Sequence, residues 1–354
     1  MNYPLNPSLL KLRLYNLLRL AAGERINIDP QLDANQGVED LVEVHIPEGC
    51  FLNPAYPAPV SLRHLVSGRL GEVMQAILAQ VFPDAVPATH LGSLNCYSLL
   101  GVGRRPEDRW LCFEVTAGGG GARPFGDGID AYCFNNRLKN APVEFVETVY
   151  PVRIEQYSLR PASAGPGKYR GGYGLIRAIR ALKPAKLYFL DERQRTQPWG
   201  LYGGRAAAAN DAYLVRNDGR IVQLPGKFDH LPVEPGELFV MRTGGGGGWG
   251  NPYERDPERV RREVECGLLT AAQAREWYGV VLVGWPPQVD EAATAALRAR
   301  APLVRDWIDR GEPVAAPGPN TFWELAEPPE PWLVITEPVG TARVAEISGR
   351  ERSD

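Results

Sequence analysis

GGGGARPFGDGIDAYCFNNRLKNAPVEFVETVYPVRIEQYSLRPASAGPGKYRGGYG, residues 118–174, is the stretch whose reading decides the fold. Two glycine clusters enclose a short apolar segment that carries Glu144 and Glu147. Glycine permits close approaches that a Cβ forbids, so such clusters mark tightly packed turns. Val143–Ile154 between them reads as a strand. Residues three apart on a strand point to opposite faces, so the two glutamates are not expected to act as a paired acid and base. The pattern returns at 243–252, TGGGGGWGNP, where a strand over Leu238–Arg242 runs into five consecutive glycines. Bounded by that strand and by Asp256-Pro257, the run reads as a packed backbone turn and not as a flexible linker.

Working outward, the chain has 354 residues, 44% hydrophobic and 23% charged, which suits a globular protein with a sizeable core. Net charge is −3, so no basic field points to nucleic acid. No apolar run approaches the roughly 18 residues of a membrane span. The 38 glycines and 32 prolines punctuate short strand-like runs. That pattern predicts an α+β fold, sheet-rich, with many short strands, glycine-rich turns, flanking helices and an irregular C-terminal tail. Four regions follow: an N-terminal docking helix (1–30), a mixed core (31–255), a helical segment (256–310) and an extended or disordered tail (311–354). The five cysteines are scattered without C-x-x-C spacing, as in a cytoplasmic protein with reduced thiols. No two of His45, His64, His90 and His230 share a helical turn, so no metal site is expected.

Residues 8–22 form a leucine-rich helix, capped by Ser8 and stopped by Gly23. It is apolar around most of its circumference, which fits either core packing or docking on a partner. Leu41–Ile46 alternates like a half-buried strand, and 67–82 has one-face helical spacing. Strands are expected within 92–116 and 177–190. Tyr213–Val215 and Ile221–Leu224 flank Asn217-Asp218-Gly219, a hairpin signal. Helices are expected over 256–266, 270–278 and 290–310, the first two with Asp256 and Thr270 as caps.

Asp127, Glu144 and Glu147 are the catalytic candidates. Asp127 and Asn140 sit beside tight turns, where such groups usually bond backbone. Lys168 and Arg170 lie among glycine N–H groups and, with Asn140, could hold a substrate or an anion, or simply be solvated turn residues. The spacing is not that of a P-loop. Gly119, Gly120, Gly121, Gly171, Gly172, Gly246 and Gly247 read as structural.

NQGVEDLVEVHIPEGCFLNPAYPAPVS (35–61), GGGGARPFGDGIDA with NAPVEFVETVYP (118–151), SAGPGKYRGGYG (163–174), RQRTQPWGLYGG (193–204) and the segment 244–282 together resemble the hydantoinase B/oxoprolinase family. The resemblance implies a component of a multi-subunit, ATP-dependent complex acting on a carbonyl substrate. The family's histidine-rich and acidic N-terminal motifs are not present, so the chain resembles a free-standing C-terminal half of a B-type subunit. Its implied partners are an A-type, ATP-binding subunit and a chain supplying the other half. ATP and a divalent metal are then expected in those partners, with no cofactor assigned to this chain. A split subunit leans toward a ketone carboxylase of the acetone or acetophenone type. The alternatives are an ATP-dependent hydantoinase or 5-oxoprolinase, and a non-catalytic scaffold. If residues 8–22 dock on a partner, Leu14→Asp or Leu17→Asp weakens complex formation in size-exclusion runs more than it lowers the melting temperature.

Overall fold

The computed structural model describes residues 43–327, apart from 61–62, 93, 104, 106–107, 133–138 and 302–305, together with strand pairs at 334–335 and 344–345. The leucine-rich segment 8–22 lies outside the described residues, as does the first part of the 41–46 run.

The element order is α1 (Arg63–Val81), β1 (Asn95–Gly101), β2 (Leu111–Thr116), α2 (Val143–Val149), β3 (Val152–Leu159), β4 (Leu175–Ala181) and β5 (Ala185–Leu190). There follow β6 (Gly200–Leu201), β7 (Asp211–Val215), β8 (Ile221–Gln223), β9 (Lys227–Val233) and β10 (Leu238–Arg242). The chain continues through α3 (Pro257–Glu265), α4 (Ala271–Tyr278), β11 (Leu282–Val283), β12 (Gln288–Val289), α5 (Glu291–Arg298), β13 (Ile308–Asp309) and β14 (Trp323–Leu325). This is the expected sheet-rich α+β fold.

Two antiparallel sheets carry the core. One has the order β2-β1-β5-β9, the other β14-β8-β7-β10-β4-β3. They share one apolar cluster, with Tyr97, Leu99, Leu187 and Phe189 from the first and Ile179, Leu214, Phe239 and Met241 from the second. The rings of Tyr97 and Phe189 lie 5.6 and 5.5 Å from that of Phe239. β4 is buried along its whole length. A strand covered on both faces reads as a continuous apolar run rather than an alternating one, as LIRAIRA does apart from its arginines.

Beside the sheets, extended segments without strand pairing stack on one another. Their axis is Gly244–Gly248. A Cβ on each of these five glycines would approach a different neighbour, namely the carbonyl oxygens of Ala208, Ser163, Gly120, Trp199 and Pro166, at 1.9–2.4 Å. Backbone contact on every side leaves no room for any side chain, which is why the composition there is pure glycine, as at the crowded axis of collagen. Hydrogen bonds between segments knit the stack: Gly246 N to Gly172 O, Gly247 N to Thr89 O, Gly248 N to Arg205 O, and Ala122 N to Gly247 O, all at 2.9 Å. The run is therefore packed, as expected, but it is an extended axis and not a turn. Gly119, Gly121, Gly171 and Gly172 meet the same kind of backbone contact within this stack.

Three expectations are corrected. Val143–Ile154 is not one strand: residues 143–149 form α2, and β3 begins at Val152. Its β-branched residues favour a strand in isolation, but Pro142, with φ −53°, enters the helix at its N-cap, and Val146 is buried against the main core. Residues 43–47 alternate in exposure but pair with no strand among the described residues. The helix expected over 290–310 ends at Arg298, before Pro302. Downstream, the tail wraps the surface, β13 pairing with β6 and β14 with β8.

The glycine axis sets an expected contrast. Gly246→Ala places a methyl group 1.9 Å from the Gly120 carbonyl oxygen. It costs on the order of 3 kcal/mol or more, or prevents folding. Gly120→Ala meets backbone only at 3.2 Å and costs about 1 kcal/mol. Urea titration of both variants measures the difference.

Candidate functional site

The residues singled out from sequence fall in separate places. Glu144 and Glu147 stand one turn apart on exposed α2, not on opposite faces of a strand. Glu147 Oε1 accepts the Ile154 N–H at 2.7 Å and so ties α2 to β3. Asn140 donates to Val115 O at 2.8 Å and accepts from the Tyr157 hydroxyl at 2.9 Å. It helps close the sandwich beside a buried cluster in which Arg177 donates to Glu114 and to the Tyr97 hydroxyl.

Asp127 and Arg170 belong to one ion-pair cluster. Asp127 accepts from Arg255 Nη1 and Nη2 at 2.7 and 2.8 Å, and from the Arg170 N–H at 3.0 Å. Arg170 is bound by Asp130 and Glu263, each at 2.7 Å, and its guanidinium stacks 4.5 Å over the Tyr173 ring. Both ends of Arg170 are thus committed to carboxylates of its own chain, which corrects its reading as part of an anion cradle. Burial pushes the Asp127 carboxyl up, but the bonds and charge of Arg255 and Arg170 outweigh it and hold it below the usual carboxylate range. The cluster fastens α3 to the glycine stack; removing one partner of such a buried pair typically costs about 3–5 kcal/mol. Lys168 pairs with Glu254 at 3.3 Å on the rim of a groove walled by Tyr202, Trp249 and Trp307. No described group of three or more His, Cys, Asp or Glu residues is arranged to hold a metal.

The arrangement best suited to chemistry lies elsewhere, where β5 ends. Asp191, Glu192, Arg193, Gln194 and Arg195 leave that strand and line a cavity of about 400 Å³ with Arg69, Lys227 and Pro225. Pro317 and Pro319 of the wrapped tail form another wall. Asp191 is 2% exposed. Its Oδ1 accepts from Asn210 Nδ2 at 2.6 Å, while Oδ2 has no hydrogen-bond partner. Burial raises its carboxyl well above the usual range, which favours the neutral form. Arg193 takes the left-handed conformation, φ 63°, rare for a residue with a Cβ. It reaches Glu72 of α1 and the Gln197 carbonyl oxygen. Arg69 pairs with the same glutamate at 2.9 Å, and burial brings its guanidinium down to about 10. Lys227 holds Glu192 at 3.2 Å. Asn210 links the cavity to the glycine axis, because its Oδ1 accepts the Gly244 N–H. A buried carboxyl shifted upward, an arginine in the left-handed region and an excess of cations in one cleft mark a candidate binding or acid–base site. From sequence, Arg193 and Arg195 read only as turn residues. The signal is the charged run DERQR directly after a strand; Glu72, Arg69 and Asn210 carry none, since only the fold brings them there.

The family profile described as hydantoinase B/oxoprolinase matches residues 14–252. The chain belongs to that family. It is 32% identical to the beta chain of the caprolactamase of Pseudomonas jessenii, over 75% of this chain and 47% of the relative. It is 30% identical to the B-type chain of a putative D-/L-hydantoinase of a Pseudomonas species, over 75% of this chain and 44% of the relative. The chain thus spans about half the length of these relatives. Among solved structures it resembles the ATP-dependent caprolactamase of P. jessenii, with a TM-score of 0.67 and 28% identity, covering 81% of this chain and 50% of that one. It also shares its fold with an acetone carboxylase, with a TM-score of 0.64 and 20% identity, covering 81% of this chain and 43% of that one.

The two aspartates impose opposite pH dependences. Asp191 binds its proton more tightly when folded, so its contribution is fully present below the unfolded aspartate range and declines as pH rises. Asp127 contributes above that range, and its contribution is lost as pH falls. Asp191→Asn is therefore expected to gain in melting temperature relative to the parent between pH 5 and 8. Asp127→Asn should melt below the parent at pH 7, by a margin that narrows only as pH falls below about 4.

Proposed function

We propose that the chain serves as the C-terminal half of a B-type subunit in an ATP-dependent assembly that opens cyclic amides. The observation that carries this reading is the 32% identity to a caprolactamase beta chain over three quarters of the sequence. A second relative bears a hydantoinase name. Hydantoins and caprolactam share a ring amide, and opening one consumes water: lactam, ATP and water give an amino acid, ADP and phosphate. Phosphorylating the amide oxygen in an A-type partner activates the carbon; water adds there, the ring C–N bond breaks with the nitrogen leaving as the protonated amine, and a second water releases phosphate from the acyl phosphate so formed. This chain contributes walls and docking surface, while a partner supplies the other half of the subunit. The assembly is then a hetero-oligomer, working in the cytoplasm, where ATP is available.

Ketone carboxylation is the second reading. It is favoured by the fold shared with acetone carboxylase. That likeness reaches the architecture alone, so the cyclic-amide reading stands ahead of the carboxylase expected from a split subunit. A scaffold without chemistry is the third.

Co-expression with an A-type chain and a chain carrying the N-terminal half tests all three. ATP-dependent opening of a lactam, lost when this chain is omitted, is the expected result. ATP- and bicarbonate-dependent consumption of a ketone would replace the proposal with carboxylation. Equal activity without this chain would overturn both.

A further inference from the structure

The cavity beside β5 has an unusual set of unsatisfied groups. Asp191 Oδ2, Arg193 Nε and Arg69 Nε are all buried and make no hydrogen bond, and all three belong to residues that line it. Arg69 Nε lies 3.8 Å from Glu192 Oε2, an ion-pair distance without a hydrogen bond. Buried polar atoms are rarely left unpaired, and several around one opening indicate a missing partner. The donors among them are guanidinium N–H groups. Two of the three unpaired atoms are therefore donors, so the missing partner must accept hydrogen bonds.

Charge narrows it further. The lining holds four cations, Arg69, Arg193, Arg195 and Lys227. Against them stand Glu192 in the lining and Glu72 behind Arg69 and Arg193. Even with Asp191 counted as charged, four cations face three carboxylates and the balance is positive. Arg195 and Thr196 are exposed at the mouth. Arg195 Nη2 bonds the Ala316 carbonyl oxygen at 3.2 Å, so it anchors the tail segment whose Pro317 and Pro319 form a wall. Three prolines and Gly226 offer apolar or bare backbone surface to a hydrocarbon body. A volume of about 400 Å³ is small, at the lower end of ligand pockets.

We propose that this cavity binds a small organic carboxylate, its oxygens facing the Arg193 and Arg69 guanidinium edges and the Asp191 carboxyl, its carbon chain against Pro225, Pro317 and Pro319. Glu192 and Glu72 favour a singly charged carboxylate head over a phosphate dianion. The assignment deepens the ring-opening reading, whose product bears a carboxylate, but the binding itself needs neither ATP nor a partner.

The test is equilibrium binding to the full 354-residue chain, by calorimetry and ligand-observed NMR, with 6-aminohexanoate, glutarate and inorganic phosphate as probes. Saturable binding of at least one of the two carboxylates, with phosphate weaker, is expected. Lys227→Met and Arg195→Met each remove a positive charge from the mouth without touching the carboxylate, and should each weaken binding about 2–5-fold, the scale of an exposed charge pair, with circular dichroism unchanged. Arg69→Met reports on the inner face, and Asp191→Asn, which keeps one donor, should weaken binding less than Asp191→Leu. Absence of saturable carboxylate binding by the folded chain overturns the proposal. So does phosphate binding alone, or unchanged affinity in the folded Lys227→Met and Arg195→Met variants. If the assembly opens a lactam while these variants bind and turn over as the parent does, only this site assignment falls.

Discussion

Everything in this chain rests on direct contact of backbone with backbone along Gly244–Gly248. Five successive residues each touch a different segment at a distance that excludes even a methyl group. Such packing derives little from the burial of apolar side chains. Its stability comes from hydrogen bonds between segments, from dispersion between closely packed peptide planes, and from the flanking apolar clusters. The entropic cost of ordering glycine is high, so the arrangement needs strong support at its borders. β10 supplies it on one side, as it leads directly into the axis and sits between β7 and β4 in the larger sheet. The cluster of Arg255, Asp127, Glu263 and Arg170 supplies it on the other.

The same axis positions the cavity. Gly244 hydrogen-bonds Asn210, and Asn210 holds Asp191 and the Glu192 carbonyl oxygen. α1 is drawn in by Glu72, which meets both Arg69 and Arg193. A buried carboxyl and two arginines thus come together from distant parts of the sequence, set by one rigid backbone element. The wrapped tail closes the opposite wall.

Much of the architecture is legible in the residues alone. β10, the hairpin of β7 and β8, and the caps of α3 and α4 follow from local rules, and each lies where turn chemistry and periodicity place it. The sheet-rich class follows from the spacing of glycine and proline. α2 is not legible, because VEFVETV has strand-like residues, and its helix rests on Pro142 at the N-cap and on the docking of Val146. The role of Arg170 escapes a local reading because its carboxylate partners are remote: Asp130 lies across a glycine turn and Glu263 lies on α3. The cavity is the least legible part. A buried aspartate reveals its protonation only through its surroundings, and nothing in DERQR says that α1 will cover it.

The position of the axis in the chain has a further consequence for biosynthesis. Its partners, from Thr89 onward, are translated well before residues 244–248 emerge from the ribosome. Until then the larger sheet also lacks β10, its central strand. Residues 89–243 therefore emerge without a completed interior, and closure rests on contacts distant in sequence. Folds dominated by such contacts form slowly.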